Sequence, residues 1–332
     1  MKRTLWILLA GAALALGCDK ISPPTAPSEP APVFSLMRFP AAIATQVSGI
    51  NARGAIVGQY VDTTGKSRGF LFCDGVVVAW DAPGSIFTNA LRINDRGQIV
   101  GRFTSPDGKN HGYLLSDGAF TTIDIPGATF SNAIGINSTG DIVGRTDTPD
   151  GKRHGFLLRQ GQVTMIDYPG ATATTAVDIN DVGDIVGLHL TADGVWHNWL
   201  LRGGAFTAID VPGALRTGVE NSIAGINTRG EIVGLYLDAD SLTHGYLLSN
   251  GSFTTINVPG AKTTTALEIN ENGDIVGTCQ GAPNMPATMF VGYWRGMESA
   301  GAPPPMMRQH DPRAAAAALL PEPGQAVWPG GQ

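Results

Sequence analysis

One pattern returns six times along most of this sequence. Asn137 lies in the segment AIGINSTGDIVG, and equivalent asparagines occur at Asn51, Asn94, Asn180, Asn227 and Asn270. The spacings between successive copies are 43, 43, 43, 47 and 43 residues. A nearly fixed period of this length indicates structural units that bury their apolar faces against one another. The chain is therefore predicted to be a repeat protein.

Each unit contains four short apolar runs, which in the third unit are NAIGIN, DIVGRT, HGFLL and VTMIDYP. Runs rich in Ile, Val, Phe and Thr that are bounded by turn residues predict strands, here named a, b, c and d. Strand d ends in a proline at one register, at Pro83, Pro126, Pro169, Pro212 and Pro259. Proline cannot donate to a strand ladder, so strand d is predicted at the outer edge of a four-stranded antiparallel sheet.

Four strands in one period match the size of a propeller blade. The sixth unit lacks strand d, but residues 34–40 align without gaps on residues 120–126, which contain a d strand. We therefore predict an all-β fold over residues 34–298, a six-bladed β-propeller with four antiparallel strands per blade, closed by the N-terminal outer strand. A right-handed solenoid is the alternative, but it would not need a spare d strand at the far end.

The motifs GIN-x-x-G-[DE]-IVG, HGFLL and F-T-x-I-D-x-PGA resemble the HAF family of bacterial extracellular repeats. The resemblance covers about 260 of the 332 residues. The first unit departs from it at Arg68, where the next four units have His, and the sixth unit lacks the His-Gly pair. The resemblance implies an extracytoplasmic repeat protein and brings no established activity.

The two ends of the chain differ from the repeats in composition. Residues 1–18 combine a basic start, an apolar stretch and the segment ALGC, which predicts a signal peptide of the lipoprotein type with Cys18 as the lipidated residue. Cleavage without lipidation is the alternative. Residues 19–33 are predicted to be a Pro-rich tether, and residues 299–332 a disordered tail. The expected location is periplasmic or at the cell surface, with a lipid anchor.

The chain has a net charge of −6, and 15% of its residues are charged. This composition excludes nucleic acid and anionic membrane surfaces as expected partners, apart from the lipid anchor itself. We expect a monomer without a cofactor. Cys73 and Cys279 are predicted to end strands on opposite faces of the disc, so both thiols should stay free.

Four histidines occupy one position in successive units, at His111, His154, His197 and His244. A metal-binding or pH-sensing ring is one interpretation. However, c strands of different blades are too far apart for four imidazoles to meet one ion at ~2 Å. We therefore predict that each histidine bonds within its own blade.

Two residues before the repeated asparagine, glycine alternates with charge around the ring. The six units have Gly49, Arg92, Gly135, Asp178, Gly225 and Glu268 at this position. Because strand a should be innermost, Arg92, Asp178 and Glu268 are predicted to converge at the axis. They could form a structural plug, or a polar site for a cationic, metal or sugar ligand.

Five residues before the asparagine, small or medium hydrogen-bonding residues recur. They include Asn89, Asn132 and Thr175, and are predicted to ring the channel mouth on the face of the d–a and b–c loops. The longer spacing of 47 falls in the d–a loop GALRTGVENS and should make this rim uneven. The fourth unit also places Trp196 and Trp199 around His197 and Asn198, and an exposed Trp of this pair could stack on a sugar, although buried packing is the commoner fate.

The favoured function is a non-catalytic binding or structural module for a protein or glycan partner. A hydrolase or lyase that uses Asp178 and Glu268 at the axis is the alternative, by analogy with other propellers. The repeat loops are short and nearly identical, whereas enzymes on repeat scaffolds usually break their symmetry more deeply. The sequence therefore favours the binding module.

Overall fold

A computed structural model describes residues 42–220 and 224–281, together with the backbone of three further strands at 33–37, 288–293 and 327–329. The signal peptide, the tether and most of the C-terminal tail predicted above lie outside the described residues. The described part is all-β and contains no helix. Accordingly, no helix in it is long and apolar enough to cross a membrane.

Strand boundaries follow the repeat closely. Repeats 1 to 3 comprise β2 (Ala44–Ile50), β3 (Ile56–Val61), β4 (Ser67–Cys73), β5 (Val76–Trp80), β6 (Phe87–Ile93), β7 (Ile99–Thr104), β8 (Asn110–Ser116), β9 (Ala119–Ile123), β10 (Phe130–Ile136), β11 (Ile142–Asp147), β12 (Arg153–Arg159) and β13 (Gln162–Ile166), all preceded by β1 (Val33–Met37). Repeats 4 to 6 and the tail comprise β14 (Ala173–Ile179), β15 (Ile185–Leu190), β16 (Trp196–Arg202), β17 (Ala205–Ile209), β18 (Arg216–Thr217), β19 (Gly225–Ile226), β20 (Ile232–Leu237), β21 (Thr243–Ser249), β22 (Ser252–Ile256), β23 (Thr263–Ile269), β24 (Asp274–Gln280), β25 (Thr288–Tyr293) and β26 (Val327–Pro329).

Within each repeat the strands pair antiparallel in the order a, b, c, d, as predicted. In repeat 3, β10 pairs with β11, β11 with β12, and β12 with β13. Strand c then touches strand a of the next repeat in a parallel contact, with Arg153 opposite Ala173. Neighbouring repeats therefore lie side by side, with strand d on the outer edge.

The repeated asparagine builds the turn between strands a and b. In repeat 3, Asn137 Oδ1 accepts hydrogen bonds from the backbone N–H groups of Thr139 and Asp141. Gly140 completes the turn at a φ of 89°, in the left-handed region where a side chain is disfavoured. The amide Nδ2 of Asn137 donates to the backbone oxygen of Asn180, one repeat further on. One side chain thus shapes its own turn and joins it to the next.

This link between turns occurs in all six repeats, and the series returns to its first residue. The donor and acceptor pairs are Asn51 to Asn94, Asn94 to Asn137, Asn137 to Asn180, Asn180 to Asn227, Asn227 to Asn270, and Asn270 to Asn51. The last of these bonds spans 219 residues of sequence at 2.9 Å. Repeats 6 and 1 are therefore neighbours in space.

The N-terminal strand is paired as the sequence predicted. β1 lies antiparallel to β25, with Ser35 opposite Val291, in a four-stranded sheet that also contains β24 and β23. At the other end of the chain, β26 pairs with β5, the outer strand of repeat 1. An outer strand presents unpaired backbone groups to which a further strand can add.

The core lies between adjacent repeats and is built from the strand residues that alternate inward. One cluster joins Val100 of repeat 2 to Ile123, Ile136, Ile142 and Phe156 across the second and third repeats. The described thiols of Cys73 and Cys279 are free, as predicted. Burial raises the pKa of Cys73 to about 11, so its thiol is protonated at neutral pH.

Candidate functional site

A β-bulge in strand a precedes the charged residues that the sequence analysis singled out. In repeats 1 to 4 and 6 the pairing between strands a and b shifts at the third residue before the asparagine. A bulge leaves that residue's backbone unpaired and re-aims the neighbouring side chain. The next residue is charged in repeats 2, 4 and 6. It is glycine in the other three repeats because their strands approach the next one closely: a Cβ on Gly135 would lie 2.8 Å from the Cα of Asp178.

Arg92 occupies the centre of this arrangement and is 3% exposed. Its Nε lies 3.5 Å from Asp178 Oδ1 and also contacts Glu268 Oε2. The predicted convergence of Arg92, Asp178 and Glu268 is therefore present. The contacts come from repeats 2, 4 and 6, which are separated along the chain but meet in this cluster.

The guanidinium also bonds to backbone carbonyl groups of four repeats. Its two terminal nitrogens donate to four carbonyl oxygens, those of Ser48 at 2.6 Å, Leu91 at 3.2 Å, Ala224 at 3.0 Å and Leu267 at 3.2 Å. All four residues stand three places before a repeated asparagine. Arg92 thus ties four repeats together through main-chain oxygens that would otherwise be buried without partners.

Both carboxyl groups of the cluster are buried, with Asp178 4% and Glu268 5% exposed. Burial raises the pKa of Glu268 well above its usual range; Arg92 opposes this effect and the negative charge of Asp178 adds to it. Burial also raises the pKa of Asp178, against the opposing charge of Arg92 and a hydrogen bond from the Ile226 N–H to Asp178 Oδ2. One guanidinium and two carboxyls therefore form a closed, mutually compensating group.

A vestibule of about 60 Å³ borders the cluster and is lined by the repeated asparagines and their neighbours. Acidic residues follow the asparagine in repeats 2, 4 and 6, but each already accepts a bond from a turn in the preceding repeat. The pairs are Asp95 with the N–H of Ala52, Asp181 with that of Ser138, and Glu271 with that of Thr228. Within the described residues, no three His, Cys, Asp or Glu side chains form a group that could hold a metal ion.

The residues predicted at the channel mouth do not line this vestibule. Thr175 is buried, while Asn89 and Asn132 are partly buried and lie opposite Arg102 and Arg145 on the adjoining b strands. All three stand near the start of strand a, whereas the vestibule is lined by residues at its end, so their place at a channel mouth on the face of the d–a and b–c loops stays a prediction.

The four strand-c histidines bond locally, as predicted. Each Nδ1 pairs with a side chain thirteen residues later on the same repeat, namely Asp124 for His111, Asp167 for His154, Asp210 for His197 and Asn257 for His244. These contacts join strands c and d at the outer side of each sheet. The histidines therefore hold the individual repeats together and do not form a shared ring.

Sequence reasoning missed a groove at the junction of repeats 3 and 4, with a volume of about 310 Å³. Arg153 lies at its centre, with Nε 3.5 Å from Asp147 Oδ1 and a terminal nitrogen 3.1 Å from Glu220 Oε1. The guanidinium carbon lies 5.5 Å from the centre of the Trp196 ring. Arg145 lies two residues earlier on the same strand and donates to Asp147 Oδ2 at 3.1 Å. The signal available in sequence was the longer loop that carries Glu220, which predicted only an uneven rim.

The chain matches no protein-family model and no curated protein sequence. Among solved structures it is similar to an arginine-substituted mutant of AofleA from Arthrobotrys oligospora, with a TM-score of 0.50 and 13% identity over 80% of this chain and 87% of that one. It is also similar to the SapL1 lectin in complex with alpha methyl fucoside, with a TM-score of 0.50 and 12% identity over 77% and 95% of the two chains. A mutant of Aleuria aurantia lectin has a TM-score of 0.49 and 11% identity, over 79% and 100%.

At these identities the similarity concerns the fold alone. The chain has an all-β fold similar to that of β-propeller lectins.

Proposed function

We propose that the protein is a closed six-bladed β-propeller that acts as a non-catalytic binding module for glycans. The observation that carries the proposal is the series of asparagine bonds that passes through six repeats and returns from Asn270 to Asn51. Pairing of β1 with β25 supplies the sixth sheet with an outer strand and supports closure. In a ring, no repeat is left with an exposed apolar end.

The axial cluster is better suited to a structural plug than to catalysis or ligand binding. All three side chains are at least nine-tenths buried, and the guanidinium is committed to two carboxyls and four carbonyls. The adjoining vestibule of about 60 Å³ is far below the roughly 300–1,000 Å³ of ordinary ligand sites. These features argue against the hydrolase or lyase with Asp178 and Glu268 as reacting groups.

A glycan is the proposed partner class. The similarity in fold to the SapL1 lectin, which is described in complex with alpha methyl fucoside, supports this choice. The repeats would be of the HAF type, and the N-terminal sequence favours a site of action outside the inner membrane with Cys18 as the lipid attachment point. A protein partner is the alternative to a glycan.

Binding of the folded chain to a printed panel of neutral, acidic and sulfated glycans tests the proposal. We expect concentration-dependent binding to a subset of the panel, competed by the corresponding free sugar. A correctly folded protein that binds no glycan, together with no loss of any glycoside incubated with it, would contradict glycan recognition and leave the structural role. Turnover of a glycoside would instead support the enzyme.

A further inference from the structure

We propose that the groove between repeats 3 and 4 binds one neutral hexopyranose residue of a glycan. This inference rests on the proposed glycan-binding function and assigns it a site. Its central residues are Arg153, Asp147, Glu220 and Trp196. Arg145 acts behind them by holding Asp147 in place.

The groove is where the repeats depart from their own pattern. The residue before the strand-c histidine or its equivalent is Ser67, Asn110, Arg153, Trp196 and Thr243 in repeats 1 to 5. Opposite these residues, at the end of strand b, stand Val61, Thr104, Asp147, Leu190 and Leu237. Only repeat 3 has an Arg–Asp pair, and only repeat 4 has an aromatic residue.

The longer connection between repeats 4 and 5 is a third departure from the repeat pattern, and it contacts the same groove. Glu220 lies in the connection that makes the spacing between repeats 4 and 5 four residues longer than the others. It nevertheless reaches Arg153, which is 67 residues earlier in the chain. Three changes that are scattered in sequence therefore converge on one groove.

The groove's polar groups are held in position before any ligand arrives. Arg153 is fixed by Asp147 on one side and Glu220 on the other, with its guanidinium over the Trp196 ring. Planar guanidinium and carboxylate groups can each engage two adjacent hydroxyls, the first as donor and the second as acceptor. The Glu220 side chain is 52% exposed, so its carboxylate is accessible to a ligand.

Charge balance indicates a neutral ligand. Arg153, Asp147 and Glu220 line the groove, and Arg145 pairs with Asp147 from outside the lining, so the charges of two arginines and two carboxylates cancel. An anionic ligand would face Asp147 and Glu220, and a cationic ligand would face Arg153. A polyhydroxylated neutral ring can bond to both signs without leaving a charge unpaired.

Size and apolar surface fit a single ring. A volume of about 310 Å³ is at the lower end of the roughly 300–1,000 Å³ found for small-molecule sites. The partly buried Leu190 and Ala173 contribute apolar surface to the lining, while Trp196 is 8% exposed and forms the floor beneath the Arg153 guanidinium. A pyranose has an apolar C–H face and polar edges, which matches such a lining.

The test uses the whole chain and measures binding of individual methyl glycosides by saturation-transfer NMR and titration calorimetry. The probes are methyl glycosides of fucose, galactose, mannose and glucose, with N-acetylneuraminic acid and glucose 6-phosphate as anionic comparisons. The variants are R153N, which introduces the residue of repeat 2, and E220Q, which changes one exposed carboxylate. N110S is the matched control, because Asn110 occupies the position of Arg153 at the junction of repeats 2 and 3.

We expect at least one neutral glycoside to bind, with affinity reduced at least tenfold in R153N and E220Q and unchanged in N110S. We also expect the anionic probes to bind at least tenfold more weakly. Melting temperatures near that of the parent protein establish that the variants are folded. E220Q supplies the test independently if R153N does not fold.

Two failures are distinguishable. If the parent protein binds glycans on the printed panel and both variants bind them equally well, the groove is not the site, although the glycan-binding function stands. If the parent protein binds neither the panel nor the glycosides, the function and the site both fail. Preference for an anionic probe would also overturn the inference.

Discussion

Replacing Arg92 with Met tests the axial plug, because Met retains much of the side chain's length but removes its charge and donors. The substitution leaves Asp178 and Glu268 buried without their cation, and breaking a buried ion pair in this way costs about 3–5 kcal/mol. The carbonyls that lose a donor add on the order of 1 kcal/mol or more. We therefore expect R92M to lose at least ~4 kcal/mol out of a total stability of about 5–15 kcal/mol.

Urea unfolding followed by tryptophan fluorescence and far-UV circular dichroism measures this loss. The chain has six tryptophans, of which Trp80, Trp196 and Trp199 are buried. The triple variant R92M/D178N/E268Q is the control, since it removes the two carboxylates that R92M leaves uncompensated. We expect the triple variant to be more stable than R92M by roughly 1–3 kcal/mol, the size of coupling usually found between contacting residues.

The pH dependence gives a second readout with a defined sign. A carboxyl whose pKa is raised by folding binds more protons in the folded state, so its stabilisation is present below the unfolded pKa and declines as pH rises. Burial raises the pKa of both Asp178 and Glu268. Stability should therefore fall more steeply above pH ~4.5 in R92M than in the parent, and this difference should vanish in the triple variant. If the stability of R92M at pH 7 lies within about 1 kcal/mol of that of the parent protein, the plug is refuted, because removing a buried counter-ion should cost more than this.

Two further predictions concern the turns and a buried histidine. In urea unfolding, N94A should lose about 1–3 kcal/mol of stability, because it leaves the turn N–H groups of Arg96 and Gln98 and the carbonyl of Asn137 without partners. N94D should recover only the bonds within the turn. Equal stabilities of N94D and the parent protein would contradict this expectation. Burial, then the neighbouring charge of His197, lowers the pKa of His189 from 6.5 to about 4, so its contribution to stability should be complete above pH ~6.5 and decline towards pH 4. H189Y, which introduces the residue of repeats 1 and 5, should show a smaller acid loss in urea midpoint than the parent protein, and identical pH profiles would show that His189 does not titrate in this window.

Local pattern was sufficient to predict most of the fold. The Asn–x–x–Gly spacing gave the turn built by Asn137 and Gly140, and the recurring prolines gave the outer position of strand d. Alternation of glycine with charge two places before the asparagine gave the convergence of Arg92, Asp178 and Glu268. These features repeat at fixed intervals, so one structural argument applies to every copy.

Features formed between repeats were much less accessible from sequence. The bulge in strand a that re-aims the neighbouring residues could not be placed from periodicity alone. The groove at Arg153 depends on Glu220, whose position is set by a loop of irregular length. Such a site becomes visible only when the register between neighbouring sheets is known.

The central claim is that residues near the N-terminus close a ring with the last sheet, and a disulfide across β1 and β25 tests it most directly. Ser35 lies opposite Val291, whereas Met289 lies opposite Met37. Directly opposed residues on antiparallel strands are ~4.5–5.5 Å apart between Cα atoms, within the range that a disulfide spans. We predict that S35C/V291C cross-links within one chain on mild oxidation, seen by mass spectrometry of the digested protein, and that S35C/M289C does so far less. No cross-link in S35C/V291C, or equal yields from the two pairs, would contradict closure.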